Sequence, residues 1–280
     1  PIRQQRTLKA SDALNTTRDP NSERKISHTT LRNICMLREI SLRNLSDKKE
    51  PLYARVICLD DDRIVLLDMH NSRCSLYDSS YRHISNYTLT STPRRICKSG
   101  CNEIAVTLPE EMKIEVLLIG DTIKSKGTIL TSRWCTAVAF LSEQELVVSG
   151  ITTNDISYYW GIINMKGKEV FFNITREEKE QGGTELALNL SKTRIYLSCR
   201  DNNGVYCFDR NGFQYFEYRS NMLKRPAGMT IDQEDNLYIA GSQSCNIHRL
   251  SPDGTMLQAF ELGISIYPHA LCFKQSGVDL

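Results

Sequence analysis

From Leu31 onward, apolar residues fall in short runs rich in Val, Ile, Leu, Tyr and Phe, separated by Asn, Asp, Gly and Ser. Alternation with a period of two, bounded by turn-forming residues, predicts half-buried strands joined by hairpins. No long window carries apolar positions at helical spacing, so the predicted fold class is all-β. Before Leu31, large apolar side chains are sparse and Arg, Lys, Ser, Thr, Asn and Asp prevail. Such a segment buries too little area to offset its ordering entropy. Residues 1–33 are therefore predicted to be a flexible polar linker, and residues 34–280 the folded domain.

Within that domain the runs repeat at roughly 42 residues, a spacing that belongs to propellers and solenoids. Arg63-Ile64-Val65-Leu66-Leu67, Glu103-Ile104-Ala105-Val106-Thr107, Glu145-Leu146-Val147-Val148-Ser149, Arg194-Ile195-Tyr196-Leu197-Ser198 and Asn236-Leu237-Tyr238-Ile239-Ala240 align on one template. Each follows a polar turn, with another apolar strand before it. After it come a loop, a third strand, and a tight turn such as Asp209-Arg210-Asn211-Gly212 or Ser251-Pro252-Asp253-Gly254. Four strands and three hairpins make one propeller blade, which buries both faces only when its neighbours stack against it. Blades are predicted to begin near Ala54, Pro93, Arg133, Gly183, Arg225 and Pro268. The expectation is thus a six-bladed β-propeller whose last blade is truncated at the C-terminus, the natural chain running on past Leu280. A strand over residues 34–42 is expected to close that blade in part.

Composition does not disturb this picture. A 40% hydrophobic, 24% charged chain has enough apolar material for a core, and a net charge of +2 gives no field that argues for nucleic acid or a membrane. There is no apolar stretch long enough to span a bilayer, and no secretory signal at the N-terminus. The expected compartment is cytoplasmic. Cys58, Cys97, Cys135, Cys199, Cys207 and Cys272 lie inside apolar runs and are read as small, reduced, buried hydrophobes, with disulfides as the lesser alternative. No Cys or His pairs stand at zinc-site spacing, so no metal and no cofactor are expected.

The fifth repeat is the most specific. Arg225-Pro226-Ala227-Gly228-Met229-Thr230-Ile231-Asp232, then Asn236-Leu237-Tyr238-Ile239-Ala240-Gly241, then Ser244-Cys245-Asn246-Ile247-His248-Arg249-Leu250-Ser251-Pro252-Asp253-Gly254, resembles the NHL repeat. NHL propellers stand at the C-terminus of tripartite-motif (TRIM) ubiquitin ligases. The resemblance covers residues 34–280 and is loose in the second and third blades. It implies a substrate-recognition region, and no transferase chemistry in this chain.

Propellers bind on the face formed by the loops leading into the first strands and those joining the second and third. The first set carries Arg94, Arg95, Arg133, Trp134, Lys224, Arg225, Tyr267 and His269, expected to converge as a basic, partly aromatic rim. A protein partner is the favoured ligand, the arginines suiting an acidic or phosphorylated one. The alternative is single-stranded RNA, whose phosphates and bases suit the same side chains. Glu110, Glu111, Asp155 and Asp201 on neighbouring loops would weaken a positive field. Catalysis is not expected. At the starts of the first strands Arg95, Trp134, Glu185, Ala227 and His269 offer one carboxylate, too few for the calcium centre of a propeller lactonase or lyase, the least favoured alternative. No small-molecule substrate and no membrane partner are expected, and oligomerisation is assigned to upstream regions.

Overall fold

In the computed structural model, the described residues are 6–10, 34–39, 49–99, 102–152, 158–175, 184–262 and 267–273. The chain divides into two compact units, Pro1–Asn44 and Leu45–Leu280. In the first unit, strand β1 (Arg6–Ala10) pairs antiparallel with β2 (Ile34–Glu39). The strand anticipated over residues 34–42 thus exists in part, but its ladder partner is Arg6–Ala10, and closure of the last blade by it is not observed.

Among the described residues the second unit holds five four-stranded antiparallel sheets, each formed by consecutive strands. Blade one is β3 (Tyr53–Cys58), β4 (Ile64–Asp68), β5 (Arg73–Tyr77) and β6 (His83–Thr88). Blade two is β7 (Ile96–Lys98), β8 (Glu103–Leu108), β9 (Lys113–Ile119) and β10 (Ile123–Leu130). Blade three is β11 (Trp134–Phe140), β12 (Glu145–Ile151), β13 (Tyr158–Asn164) and β14 (Glu169–Thr175). Blade four is β15 (Thr184–Leu188), β16 (Ile195–Cys199), β17 (Gly204–Phe208) and β18 (Gln214–Arg219). Blade five is β19 (Pro226–Ile231), β20 (Leu237–Gly241), β21 (Asn246–Leu250) and β22 (Met256–Glu261). The first strands pack in succession, β3 on β7, β7 on β11, β11 on β15 and β15 on β19, and so surround the propeller axis.

The repeated turn chemistry is the reason the blades form where the sequence places them. Asp78, Asn164 and Asp209 each use one side-chain oxygen to accept backbone N–H groups two and four residues ahead, closing the turn between the third and fourth strands. Asp232 does the same between the first and second strands of blade five. These acceptors satisfy donors that a tight turn otherwise leaves unpaired.

The alternation of each second strand sorts the core into layers between blades. Val65 and Leu67 of blade one meet Ile104 and Val106 of blade two, while the intervening Ala105 turns the other way to meet Leu146 and Val148 of blade three. Val147 then meets Ile195 and Leu197, and Tyr196 meets Leu237 and Ile239. Period-two patterning lets one strand serve two interfaces.

Among the described residues five blades, not six, are observed. A sixth would need three further hairpins, whereas the described residues after Glu261 are Leu262 and Tyr267–Phe273, and none of them is in a strand. Tyr267–Phe273 links the last blade to the first. The Gly228 N–H donates to the His269 carbonyl at 3.1 Å, the Arg55 Nη1 donates to the same oxygen at 3.1 Å, and the Tyr238 and Phe273 rings lie edge to face at 5.1 Å. Gly228 of the fifth repeat is explained by this approach: a Cβ there would stand 2.6 Å from the Ala270 Cα.

Cys58 on β3 and Cys272 form a disulfide across 214 residues of sequence, correcting the expectation that both are reduced. Cys97, Cys135 and Cys207 are free and buried or half-buried, as that expectation had it, Cys199 is buried, and Cys74 is a further free, buried thiol. Reduction of the bridge is expected to lower stability by about 2–4 kcal/mol. Urea unfolding with and without a thiol-free reductant measures this, and a Cys272→Ser variant should match the reduced protein and ignore the reductant.

His248 gives a second expectation, on pH. Its ring is buried, its Nδ1 is 2.7 Å from the Tyr218 hydroxyl, and burial holds its pKa below the usual histidine value, opposed by Glu261. The folded state thus favours neutral imidazole, while the unfolded chain takes up a proton near pH ~6.5. Stability is complete above that pH and declines as pH falls from there through the lower folded-state value. Unfolding midpoints at pH 7.5 and 5.0 should differ less in His248→Asn than in the parent.

Candidate functional site

The first strands place a cluster of charged side chains at one mouth of the axis. Arg55, near the start of β3, follows a register shift between Tyr53 and Arg55, an irregularity of the kind that re-aims a side chain. Arg95, just ahead of β7, is fixed through its backbone to Thr107: its N–H donates to Thr107 Oγ1 at 3.0 Å and its carbonyl accepts the Thr107 N–H at 3.0 Å. Glu185, at the start of β15, pairs through Oε1 with Arg55, and with Arg95 Nη2 at 2.7 Å. All three side chains are nearly enclosed, at 10%, 11% and 7% exposure for Arg55, Arg95 and Glu185.

Two further arginines join them from the loops of the same face. Arg200 follows β16 directly, and its charge acts on Arg55 and Arg95. Arg225 precedes β19 and acts on Arg200. Burial works against the charged form of Arg55, Arg95 and Arg200, and the neighbouring guanidiniums add to that effect. Burial also lowers the His269 pKa, followed by Arg200, Arg55, Arg95 and Arg225. Among the described residues, Glu185 thus pairs with Arg55 and Arg95, while Arg200 and Arg225 act on these arginines, on one another or on His269, and Asp201 acts on Arg200.

Arg225 is held with φ +49°, in the left-handed region that non-glycine residues rarely occupy. Its N–H donates to Asn203 Oδ1 at 2.7 Å, and its carbonyl accepts from both the backbone N–H and the hydroxyl of Ser242. Such a conformation costs on the order of 1–3 kcal/mol and persists where surrounding bonds fix it, commonly at binding sites.

The anticipated rim is therefore brought together in part. Arg95 and Arg225 both act on His269, and Arg94 lies beside Arg95 with its carbonyl accepting from Arg95 Nη1. Tyr267 is half exposed in the same closing segment. Lys224 turns to a polar depression with Asn202, Asn203, Arg219 and Asn221. Arg133 is drawn toward the outer strand of its own blade, donating to Glu169 Oε1 at 3.1 Å with its guanidinium 3.9 Å from the Phe172 ring centroid. Trp134 is 42% exposed. Of the acids, Asp155 lies outside the described residues, and Asp201 sits beside Arg200. Glu111 is occupied by Lys113, Ser91 and Thr90, which hold its pKa down to about 2.

Sequence reasoning missed Arg55 and Arg200 as members of the site. Arg55 carried a usable signal, since it occupies in blade one the place of Glu185 in blade four, near the start of the first strand. Among the described residues no group of three His, Cys, Asp or Glu side chains could hold a metal ion, and no helix is long and apolar enough to cross a membrane. Chemically the cluster is an array of forked N–H donors suited to an oxyanion.

No family model matches the chain, and no curated protein matches it. Solved structures do. A streptogramin B lyase shares 15% identity at a TM-score of 0.61, over 81% of this chain and 74% of that one. A catalytically inactive virginiamycin B lyase from Staphylococcus aureus, solved with quinupristin, shares 15% identity at 0.59, over 81% and 76%. A luciferin-regenerating enzyme shares 12% identity at 0.55, over 76% and 78%. At such identities the likeness is one of fold, and the β-propeller is what these proteins share with this chain.

Proposed function

We propose that this chain is a non-catalytic recognition module that binds a protein partner through the loop face at the mouth of the axis. In this reading it is an NHL-type propeller, the substrate-recognition region of a TRIM-like ubiquitin ligase, with six positions around its axis and Tyr267–Phe273 in the sixth. The observation that carries the reading is the gathering at this face of Arg55 and Arg95, both paired with Glu185, and of Arg200, which acts on both and is itself acted on by Arg225. Enclosed positive charge is costly, and proteins retain it where a ligand of opposite charge offsets it. The lyase chemistry of the structural neighbours does not transfer at 15% identity.

A photo-crosslinking residue placed at Tyr267, with another at exposed Arg82 as control, tests the reading. Partner adducts at position 267 alone support it. RNA adducts there, with binding that falls steeply with salt and is lost in the Arg94, Arg95, Arg133 and Arg225 quadruple alanine variant, would replace the protein partner with RNA. A cytoplasmic setting would keep Cys58 and Cys272 reduced. Alkylation of freshly lysed cells decides that point: two protected thiols place the protein in an oxidising compartment instead.

A further inference from the structure

We infer that the mouth of the axis is a binding site for a doubly charged phosphoryl group, a phosphate monoester rather than a diester. The inference rests on the reading of the loop face as the binding face and names what that face holds.

Charge is the first argument. Among the described residues, Arg55, Arg95, Arg200 and Arg225 with Glu185 sum to +3, and Arg94, beside Arg95, and Asp201, beside Arg200, add one charge of each sign. A phosphate monoester carries close to two negative charges at neutral pH. It offsets most of the excess, whereas a diester or a carboxylate, with one charge, leaves most of it standing.

Donor geometry is the second. Glu185 occupies Arg55 and Arg95 through one oxygen, and the Arg95 Nε and the Arg200 Nε are buried without a hydrogen-bond partner. Buried donors without acceptors are uncommon and call for an explanation. Guanidinium forks match the oxygens of a phosphoryl group in pairs. Access is the third: Arg225 and Tyr267 are exposed while Arg55 and Arg95 lie deeper, so the cluster runs from solvent inward. The low pKa of His269, caused in part by these same arginines, gives a reporter, because an anion among them relieves that repulsion.

Titration calorimetry and thermal melts of the full chain at pH 7.5, with sodium chloride at matched ionic strength as blank, test the inference. The probes are inorganic phosphate, a Gly-phosphoserine-Gly peptide and dimethyl phosphate. Phosphate and the peptide should raise the melting temperature, and dimethyl phosphate should bind at least about tenfold more weakly. R200Q and R225Q should each lose about tenfold or more in phosphate affinity, while R82Q, on a remote turn of blade one, should lose none. The His269 ring should titrate at higher pH when phosphate is bound. Tighter binding of the peptide than of inorganic phosphate identifies a phosphorylated side chain as the source, and equal binding identifies the free anion. A melting temperature that rises no further than in chloride, affinity retained in both arginine variants, or dimethyl phosphate binding as well as phosphate overturns the inference. Phosphate binding without adducts at position 267 removes the protein partner and leaves the phosphoryl site; adducts without phosphate binding do the reverse.

Discussion

Replacing Glu185 with alanine is expected to destabilise the propeller by about 3–5 kcal/mol, the range for removing one partner of a buried ion pair. Glu185 is 7% exposed and is the carboxylate that faces both Arg55 and Arg95, on two different blades. Without it the two guanidiniums stay dehydrated beside Arg200 and lose the carboxylate they share. The loss comes less from the bond that is broken than from the charges left behind. Glu185→Gln, which keeps an acceptor oxygen and loses the charge, should fall between alanine and the parent. Chloride at high concentration should recover little, since buried charges are poorly screened. Urea unfolding of the three proteins at low and high salt provides the measurement; an alanine variant within 1 kcal/mol of the parent would show that the cluster is well hydrated and not buried as described.

Trp160→Ala is expected to cost about 3–5 kcal/mol for a different reason, the cavity left by a large core side chain. Trp160 on β13 is 1% exposed and packs against Phe171 of its own blade and Phe208 of blade four, with ring centroids 5.1 and 5.2 Å away. Its cluster also holds Val147 and Ile195, so truncation weakens the contact between two blades and not one sheet alone. The indole Nε1 is buried without a hydrogen-bond partner. Trp160→Phe, which keeps much of the ring volume and sheds that donor, should therefore cost less than about 1.5 kcal/mol. Trp134→Ala, at an exposed position, should stay within about 0.5 kcal/mol. Far-ultraviolet dichroism in urea reads all three, and similar losses for the two tryptophans would contradict the packing described.

Much of the architecture could be read from the chain because it is local and repeated. The polar turns at Asp78, Asn164, Asp209 and Asp232 mark where hairpins close, and the run Leu237-Tyr238-Ile239-Ala240 shows by its spacing that each face is apolar. Both properties follow from the backbone within a few residues, whatever the rest of the molecule does. The number of blades was less legible. Pro268 begins a segment that resembles a sixth first strand, yet strand formation depends on a partner to complete the ladder, and Tyr267–Phe273 makes its contacts with Gly228, Arg55 and Tyr238 instead.

The candidate site shows the same division. Arg95, Arg225 and His269 could be chosen because they recur where loops meet first strands. Arg133 satisfied the same rule and is drawn away by Phe172 and Glu169, which lie nearly forty residues further on. Arg200 offered no repeat signal, since it follows a second strand and reaches the axis through a loop.

Taken alone, then, the sequence determined the strands, their hairpins, the two-sided burial of each blade and the all-β class, because periodicity and turn chemistry act over a few residues. Only the tertiary structure decided that the last described segment bridges blade five to blade one, that Cys58 finds Cys272, and that Glu185 is shared by arginines from two other blades. Those outcomes join residues up to 214 positions apart. They depend on how the blades close around an axis, a geometry that no short window of the chain contains.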